Sequence, residues 1–351
     1  MKILSWAIIA VIILLPAVVS GECTCEVEEE ENWNKSLALK YKLVAFAAIL
    51  AVGAVGVCLP VMGKTVDALS PERNLFVVLK AFAAGVILST GFIHVLPDAF
   101  DSLTSPCISD SPWGDFPFTG LIAMVASIGT LLVETFADAY YRRREAEKGV
   151  AAAVKGSGGG AESGVMPVHT HATHGHAHGS MLLGLESGET ELRRHRVISQ
   201  VLELGIIVHS VIIGIALGAS QSPKTIRPLI AALSFHQLFE GIGLGGCITQ
   251  AKFSGRTVAR MITNFALATP IGIAIGIGIM KVYRDTSLTT LIVQGVFNSA
   301  SAGILIYMAL VDLLSVDFNS PKMQSNHKLQ VGASVALLCG AGCMSLLAKW
   351  A

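Results

Sequence analysis

Two apolar stretches decide how this chain folds: ISQVLELGIIVHSVIIGIALG, residues 198–218, and PLIAALSFHQLFEGIGLGG, residues 228–246. Each is close to the ~20 apolar residues that a helix needs to cross a bilayer. Yet the first holds His209 near its middle, and the second holds His236 and Glu240. A charged group at membrane depth costs at least ~2.5 kcal/mol, so such groups usually face a cavity and serve a function there. The two stretches therefore predict membrane helices with a polar site between them.

The residue types of this predicted site suit a divalent metal ion. His236 and Glu240 stand four residues apart, which places both on one face of a helix. His209 adds a second imidazole, and two imidazoles with a carboxylate are ligands typical of zinc and similar ions. Ser210 and Gln237, each directly after a histidine, add weaker oxygen contacts or orient the ligands. A lone buried histidine is usually a hydrogen-bonded core residue, but this set on consecutive spans predicts metal-ion transport.

Composition supports a membrane protein. Of the 351 residues, 52% are hydrophobic and only 14% are charged, whereas globular domains carry about 25% charged residues. The formal net charge is zero, which gives no basis for a nucleic-acid partner. The expected surroundings are therefore a lipid bilayer.

The pattern predicts an all-α polytopic membrane protein with eight transmembrane helices, because backbone groups in lipid must be satisfied within each segment. Helices 1–3 occupy residues 43–140 and helices 4–8 occupy residues 197–348. Residues 1–21 have the pattern of a cleaved signal peptide, with a ninth membrane helix as the alternative. Residues 22–42 then form an extracellular segment. The predicted spans are residues 43–63, 75–97, 118–140, 197–219, 228–247, 258–281, 288–314 and 329–348.

Basic residues indicate the orientation of the spans. They concentrate in alternate loops, above all in the run from Arg142 to Arg144, whereas the loop from Asp98 to Asp115 has no Lys or Arg. This bias places the N- and C-termini outside the cell and residues 141–196 in the cytosol. We expect a multi-pass protein of the plasma membrane, with an endomembrane or vacuolar membrane as the alternative.

The predicted cytosolic loop contains GSGGG and then HTHATHGHAH, a low-complexity tract. One interpretation is a metal sensor or buffer, because such histidines bind metal ions without a fixed geometry. The other is a solvated linker, and the sequence does not decide between the two interpretations. The histidines of this tract are His169, His171, His174, His176 and His178.

Other polar residues in the spans predict a transport pathway. His94 and Asp98 stand one turn apart at the outer end of the second span and predict an entrance for cations. Glu134 in the third span and Asp312 in the seventh predict an inner exit, with Asp138 and Glu203 as weaker candidates. The alternative for each is a carboxylate or imidazole that merely satisfies a helix end.

Glycines and one proline suggest where helices loosen. Gly214 and Gly218 follow His209, and Gly241 and Gly243 follow Glu240, which permits close packing or a local opening. Thr269-Pro270 in the sixth span offers another break. The seven cysteines are too scattered for a disulfide framework. Three of them, Cys23, Cys25 and Cys107, fall in segments predicted to be extracellular. There the sequence allows either a disulfide or a metal-binding pair of cysteines.

On these residues the chain resembles the ZIP (Zrt-, Irt-like) family of metal transporters, of the plant type. The resemblance rests on HSVIIGIALG (209–218), HQLFEGIGLG (236–245), FIHVLPDAF (92–100), the eight spans and the His-rich loop, and it covers residues 22–351. It implies an inverted-repeat fold that moves by an elevator-like or rocking motion and imports zinc, iron, manganese or cadmium into the cytosol. It also implies His209, His236 and Glu240 as primary ligands, with Ser210 and Gln237 beside them. His94, Asp98 and Asp312 match pathway positions.

The chain departs from bacterial relatives at three positions. Ile213 and Gln237 stand where those relatives carry acids, and Thr269 stands where they carry a glutamate before the proline. These acids bridge two metal ions in the relatives, so we expect one metal ion here. The metal is cargo, and no permanent cofactor or catalytic residue is expected.

Binding requires neutral imidazoles and an ionised carboxylate, so metal loading is expected to release protons and to weaken at low pH. An iron-preferring or broad-range importer is the alternative within the family, and a homodimer is left open. A metal-sensing receptor without transport and an exporter of the cation-diffusion type are the other classes. An intramembrane metalloprotease fits less well because the HExxH helix is absent.

Overall fold

The computed structural model describes residues 35–64, 73–108, 110–156, 178–279 and 288–349. Every regular element in these ranges is helical. We number the eight long helices α1 to α8, with α2 and α7 given whole although each contains a π-helical segment. They are α1 Lys35–Val61, α2 Asn74–Leu103, α3 Phe118–Gly156, α4 His178–Ala219, α5 Pro223–Gln250, α6 Gly255–Ile279, α7 Leu288–Phe318 and α8 His327–Ala348.

Seven of these described helices are long and apolar enough to cross a membrane, and α5 is the exception. It has sufficient length, with 28 residues, but His236, Gln237 and Glu240 lower its hydropathy. Neighbouring helices cover it, since it packs against α1, α2 and α4. A helix surrounded by protein can carry polar groups that would be costly against lipid. The seven spans confirm an all-helical membrane protein, while a membrane span at α5, which would bring the number to eight, stays a prediction.

Local sequence explains several helix starts. α5 begins where Ser222 accepts a hydrogen bond from the Thr225 amide and Pro223 occupies the first turn. α8 begins where Asn326 accepts one from the Leu329 amide. These side chains satisfy amides that have no partner inside the helix.

Two structural features differ from the sequence expectation for the region between the third and fourth spans. α3 continues to Gly156 and α4 begins already at His178, so much of the predicted loop 141–196 is helical. Asp138 of α3 pairs with Arg142 and with Arg193 of α4, at 3.0 and 2.9 Å. The predicted signal peptide, residues 22–34 and four loop histidines lie outside the described residues. These histidines are His169, His171, His174 and His176.

The helices form two packed groups. In the first, α1 packs against α5 and α6, and α4 packs against α6 and α5. In the second, α2 packs against α8 and α7, and α3 packs against α7. The groups meet mainly where α2 contacts α5 and where α4 contacts α7. This division matters because the predicted metal ligands lie on the first group, close to its boundary with the second.

Glycines bring α4 and α6 into backbone contact. A Cβ added to Gly272 would lie 2.4 Å from the Val211 carbonyl oxygen and 3.0 Å from the Gly214 Cα. A Cβ on Gly214 would in turn lie 2.5 Å from the Thr269 carbonyl oxygen. Small residues of this kind permit the close approach of helices in membranes.

We therefore expect Gly272→Ala to reduce the free energy of unfolding by roughly 1–3 kcal/mol, because the methyl group meets backbone atoms that must shift. The measurement is the midpoint of thermal unfolding of the detergent-solubilised protein. Gly278→Ala on the same helix is the matched control, since nothing lies within 4 Å of its Cβ position. Equal loss in both variants would contradict the packing argument.

The helices loosen at places that the sequence does not indicate. α5 and α6 stay α-helical through their glycines and through Pro270, so the expected breaks there are wrong. Instead, π-helical segments interrupt α2 at Thr90–Val95 and α7 at Met308–Ser315. Such segments often mark functional sites, and these two contain His94 and Asp312.

One cysteine among the described residues is oxidised. Cys107, in the connection between α2 and α3, is disulfide-bonded. Cys58, Cys247, Cys339 and Cys343 are free thiols. A disulfide is typical of a loop that faces an oxidising compartment.

Candidate metal site

The α5 helix presents two of the predicted ligands from one face. His236 and Glu240 are one turn apart and are 1% and 0% exposed. α5 is buried along most of its second half, so these side chains point into protein and not into lipid.

His209 of α4 completes the group. Each of His209, His236 and Glu240 offers a ligand atom within 4.8 Å of the others, and the two imidazole centroids are 5.9 Å apart. Around a tetrahedral zinc ion, ligand atoms are about 3.4 Å apart. A contraction of at most about 1.4 Å between these atoms would therefore bring them to coordination distance. The structure brings together the residues that the sequence predicted as primary ligands.

The hydrogen bonding of these side chains is incomplete. Nε2 of His209, Nδ1 of His236 and both carboxylate oxygens of Glu240 are buried and have no hydrogen-bond partner among the described residues. Buried polar atoms are normally paired, and each unpaired one costs about 1–3 kcal/mol. A bound cation would satisfy several of these atoms together. The donor set thus fits a divalent metal ion.

The two accompanying residues differ in their surroundings. The Ser210 hydroxyl is buried without a partner among the described residues. The Gln237 carbonyl oxygen accepts a hydrogen bond of 3.1 Å from the Thr269 hydroxyl of α6, while its amide nitrogen has no partner in the part of the chain that the structure describes. Gln237 and Thr269 are two of the positions where the family resemblance implies acids in bacterial relatives. Here a neutral hydrogen bond joins them, and Thr269 orients Gln237, a role that the sequence did not indicate.

His94 approaches the site from α2. Its ring centroid lies 6.3 Å from that of His236, and its Nε2 is buried and unpaired among the described residues. Asp98, one turn further along α2, is exposed. Of the predicted entrance pair, His94 therefore lies near the ligand His236 and Asp98 lies at the surface of the protein.

Asp312 lies in the π-helical segment of α7. It is 2% exposed. The Tyr307 hydroxyl donates a hydrogen bond of 2.7 Å to Glu134 of α3, and Glu134 interacts electrostatically with Asp312. Tyr307 is thus a further polar residue that sequence reasoning missed.

The weaker acidic candidates have ordinary partners. Asp138 lies in the ion pairs with Arg142 and Arg193. Glu203 accepts a hydrogen bond of 3.1 Å from Asn264. For these two, the interpretation as satisfied structural carboxylates fits better than a pathway role.

Comparison with known proteins agrees with this geometry. The sequence model of the family described as ZIP Zinc transporter matches residues 39–348. The chain is 54% identical over 350 residues to Zinc transporter 8 of Oryza sativa subsp. japonica, covering 91% of this chain and 90% of the relative. It is 52% identical over 330 residues to Zinc transporter 3 of Arabidopsis thaliana, covering 94% and 90%. It is also 48% identical over 356 residues to Fe(2+) transport protein 2 of Oryza sativa subsp. japonica, covering 95% and 90%.

Proposed function

The chain belongs to the ZIP family of zinc transporters, and from this premise we propose that it imports a divalent transition-metal ion into the cytosol. Since the family and the relatives above are transporters, the expectation that the chain is not an enzyme is confirmed. The ion is held by His209, His236 and Glu240, with Ser210 and Gln237 beside it. α5, which carries two of these ligands, also crosses the membrane and brings the number of spans to eight. A cleaved signal peptide precedes the mature chain.

One observation carries the proposal. Three side chains with metal-binding atoms converge inside the helix bundle, where each is at most 1% exposed. A purely structural polar cluster at this depth would pair its own members, yet atoms of all three are without a partner among the described residues. This favours a ligand set that is completed by a transient ion.

The surrounding polar residues support a route through the protein. His94 and Asp98 lead from the surface toward His236, and Asp312 and Glu134 lie on the inner side. Orientation with both termini outside is supported by the basic residues in the predicted inner loops and by the oxidised Cys107 in a predicted outer loop. The plasma membrane is the proposed location, and zinc is the proposed principal cargo.

The ligand types agree with zinc and do not exclude iron. Two imidazoles and a carboxylate suit Zn²⁺, and Fe²⁺, Mn²⁺ and Cd²⁺ accept the same ligands. Relatives at similar identity are named for zinc and for Fe(2+) transport, so a broad-range importer of the same family is the second candidate.

Flux into proteoliposomes tests the function. Vesicles that contain the purified protein and an enclosed zinc indicator are expected to take up added Zn²⁺, and competition by Fe²⁺, Mn²⁺ and Cd²⁺ ranks the cargo. Empty vesicles are the control. Zinc binding without flux would contradict transport and favour a metal-sensing receptor, whereas net metal export from cells that express the protein would contradict import.

We expect about one zinc ion per chain at the buried site, because a neutral hydrogen bond joins Gln237 and Thr269, at positions where the family resemblance implies acids that bridge a second ion. The measurement is elemental analysis of purified protein whose loop histidines are replaced by alanine, so that loop binding does not contribute. The replaced residues are His169, His171, His174, His176 and His178. The same variant with His236→Ala is expected to lose this ion. Two ions per chain would contradict a single-metal site.

A further inference from the structure

A buried lysine lies between the metal ligands and the predicted cytosolic end of the helices. Lys80 of α2 is 2% exposed. Its Nζ lies 3.1 Å from an Asp317 carboxylate oxygen of α7 and 3.4 Å from the Gln250 side-chain oxygen of α5. Lysine is almost never fully buried without a partner. This cation therefore joins three helices at one point.

The face of α5 that carries Glu240 continues toward this lysine. Gly243, Cys247 and Gln250 follow Glu240 at helical spacing, and Gln250 lies about 15 Å further along the axis. A Cβ on Gly243 would lie 3.4 Å from Ile87 of α2 and 3.6 Å from Leu313 of α7. These two buried apolar side chains close the space on the inner side of the ligands.

Lys80 forms a second layer beyond this apolar one. A Cβ on Gly246 would contact Phe76 at 3.1 Å and the Lys80 stem at 3.8 Å, so the end of α5 rests against α2. Cys247 is buried in the same cluster as Ile87 and Leu313. Lys80–Asp317 lies within the group formed by α2, α3, α7 and α8, whereas Lys80–Gln250 crosses to the group that carries the ligands.

We propose that Lys80 is the residue that holds the cytosolic end of the metal pathway closed. Paired with Asp317, it is fixed on the α2–α7 side and binds the end of α5 through Gln250. Release of the ion toward the cytosol requires α5 to separate from α2 and α7. This movement breaks the contact between Lys80 and Gln250 and opens a path past Ile87, Leu313 and Lys80. The inference rests on the proposed transport function and orientation.

The native thiol of Cys247 reports this closure, because it is 2% exposed and lies between the two layers. The test uses the full chain with Cys58, Cys339 and Cys343 replaced by serine, in inside-out vesicles treated with a charged, membrane-impermeant methanethiosulfonate. The double variant Lys80→Met with Asp317→Asn removes both charges, so neither is left buried and unpaired. Its Cys247 is expected to react about tenfold faster than in the parent, because the closed population falls.

Two controls separate gating from general disruption. Arg142→Met removes an ion pair that lies outside the closure and is expected to leave the reaction rate of Cys247 unchanged. Lys80→Arg, which keeps a cation, is expected to keep the slow rate. An unchanged rate in the double variant at normal thermal stability would overturn the proposal, as would equal acceleration by Arg142→Met. Labelling requires no cargo, so a failure of metal flux would contradict the proposed function without deciding this result.

Discussion

Replacing His236 by alanine is expected to lower zinc uptake by at least about a hundredfold, to the background of cells without the protein, because it removes a direct ligand from a three-residue set. His236 also lies between the other imidazoles, with His209 at 5.9 Å and His94 at 6.3 Å. Its loss therefore interrupts both the binding site and the approach from α2. The measurement is uptake of radioactive zinc at matched surface expression.

The control for this variant is His327→Ala, since His327 is an exposed histidine at the start of α8 and lies outside the pathway. Its uptake is expected to equal that of the parent. Normal uptake by His236→Ala at normal surface expression would show that the buried site is misassigned.

Replacing Glu240 by glutamine is expected to abolish transport while the metal-free protein stays at least as stable as the parent. The substitution keeps the shape of a fully buried side chain but removes a carboxylate whose two oxygens have no partner among the described residues. Burying a carboxyl group without a hydrogen-bond partner costs free energy, whether it stays ionised or takes up a proton, so its removal relieves a cost that only bound metal otherwise offsets.

This combination of effects is measured by thermal unfolding with and without zinc. The parent is expected to gain about 2.7 kcal/mol of stability when free zinc is a hundredfold above its dissociation constant, and Glu240→Gln is expected to gain almost none. Glu203→Gln, at a carboxylate that is hydrogen-bonded to Asn264, is the matched control and is expected to keep the zinc response. A metal-free Glu240→Gln protein that unfolds readily would indicate a structural role for this carboxylate.

Much of the fold follows from hydropathy alone. Each predicted span lies within or overlaps a helix of the structure, because a segment in lipid has no alternative for its backbone hydrogen bonds. The ligands were also predictable from the chain. His209, His236 and Glu240 are conspicuous because polar groups at that depth are costly. The four-residue spacing of His236 and Glu240 places these two on one face of α5.

What the sequence did not indicate depends on contacts between helices. The π-helical segments at Thr90–Val95 and Met308–Ser315 have no local signal, since neither glycine nor proline patterns predict them. The bond between Gln237 and Thr269 requires the packing of α5 against α6. The extensions of α3 and α4 carry too many polar residues for a hydropathy pattern to detect.

Lys80 is an instructive case because a signal for it was present. It is the one lysine or arginine within the predicted span 75–97, and a cation in such a segment usually has a partner or a function. Its partners Asp317 and Gln250 lie more than a hundred residues away in sequence. Only the three-dimensional structure connects them.

We expect one metal ion to bind between α4 and α5 inside the bundle. The decisive measurement is an anomalous difference map of the zinc-loaded protein, recorded at the zinc absorption edge. We predict a single peak within the helix bundle, with imidazole nitrogens of His209 and His236 and an oxygen of Glu240 at about 2.0–2.2 Å from it. A peak elsewhere in the bundle, or none between these three side chains at saturating zinc, would show that the ion does not bind there.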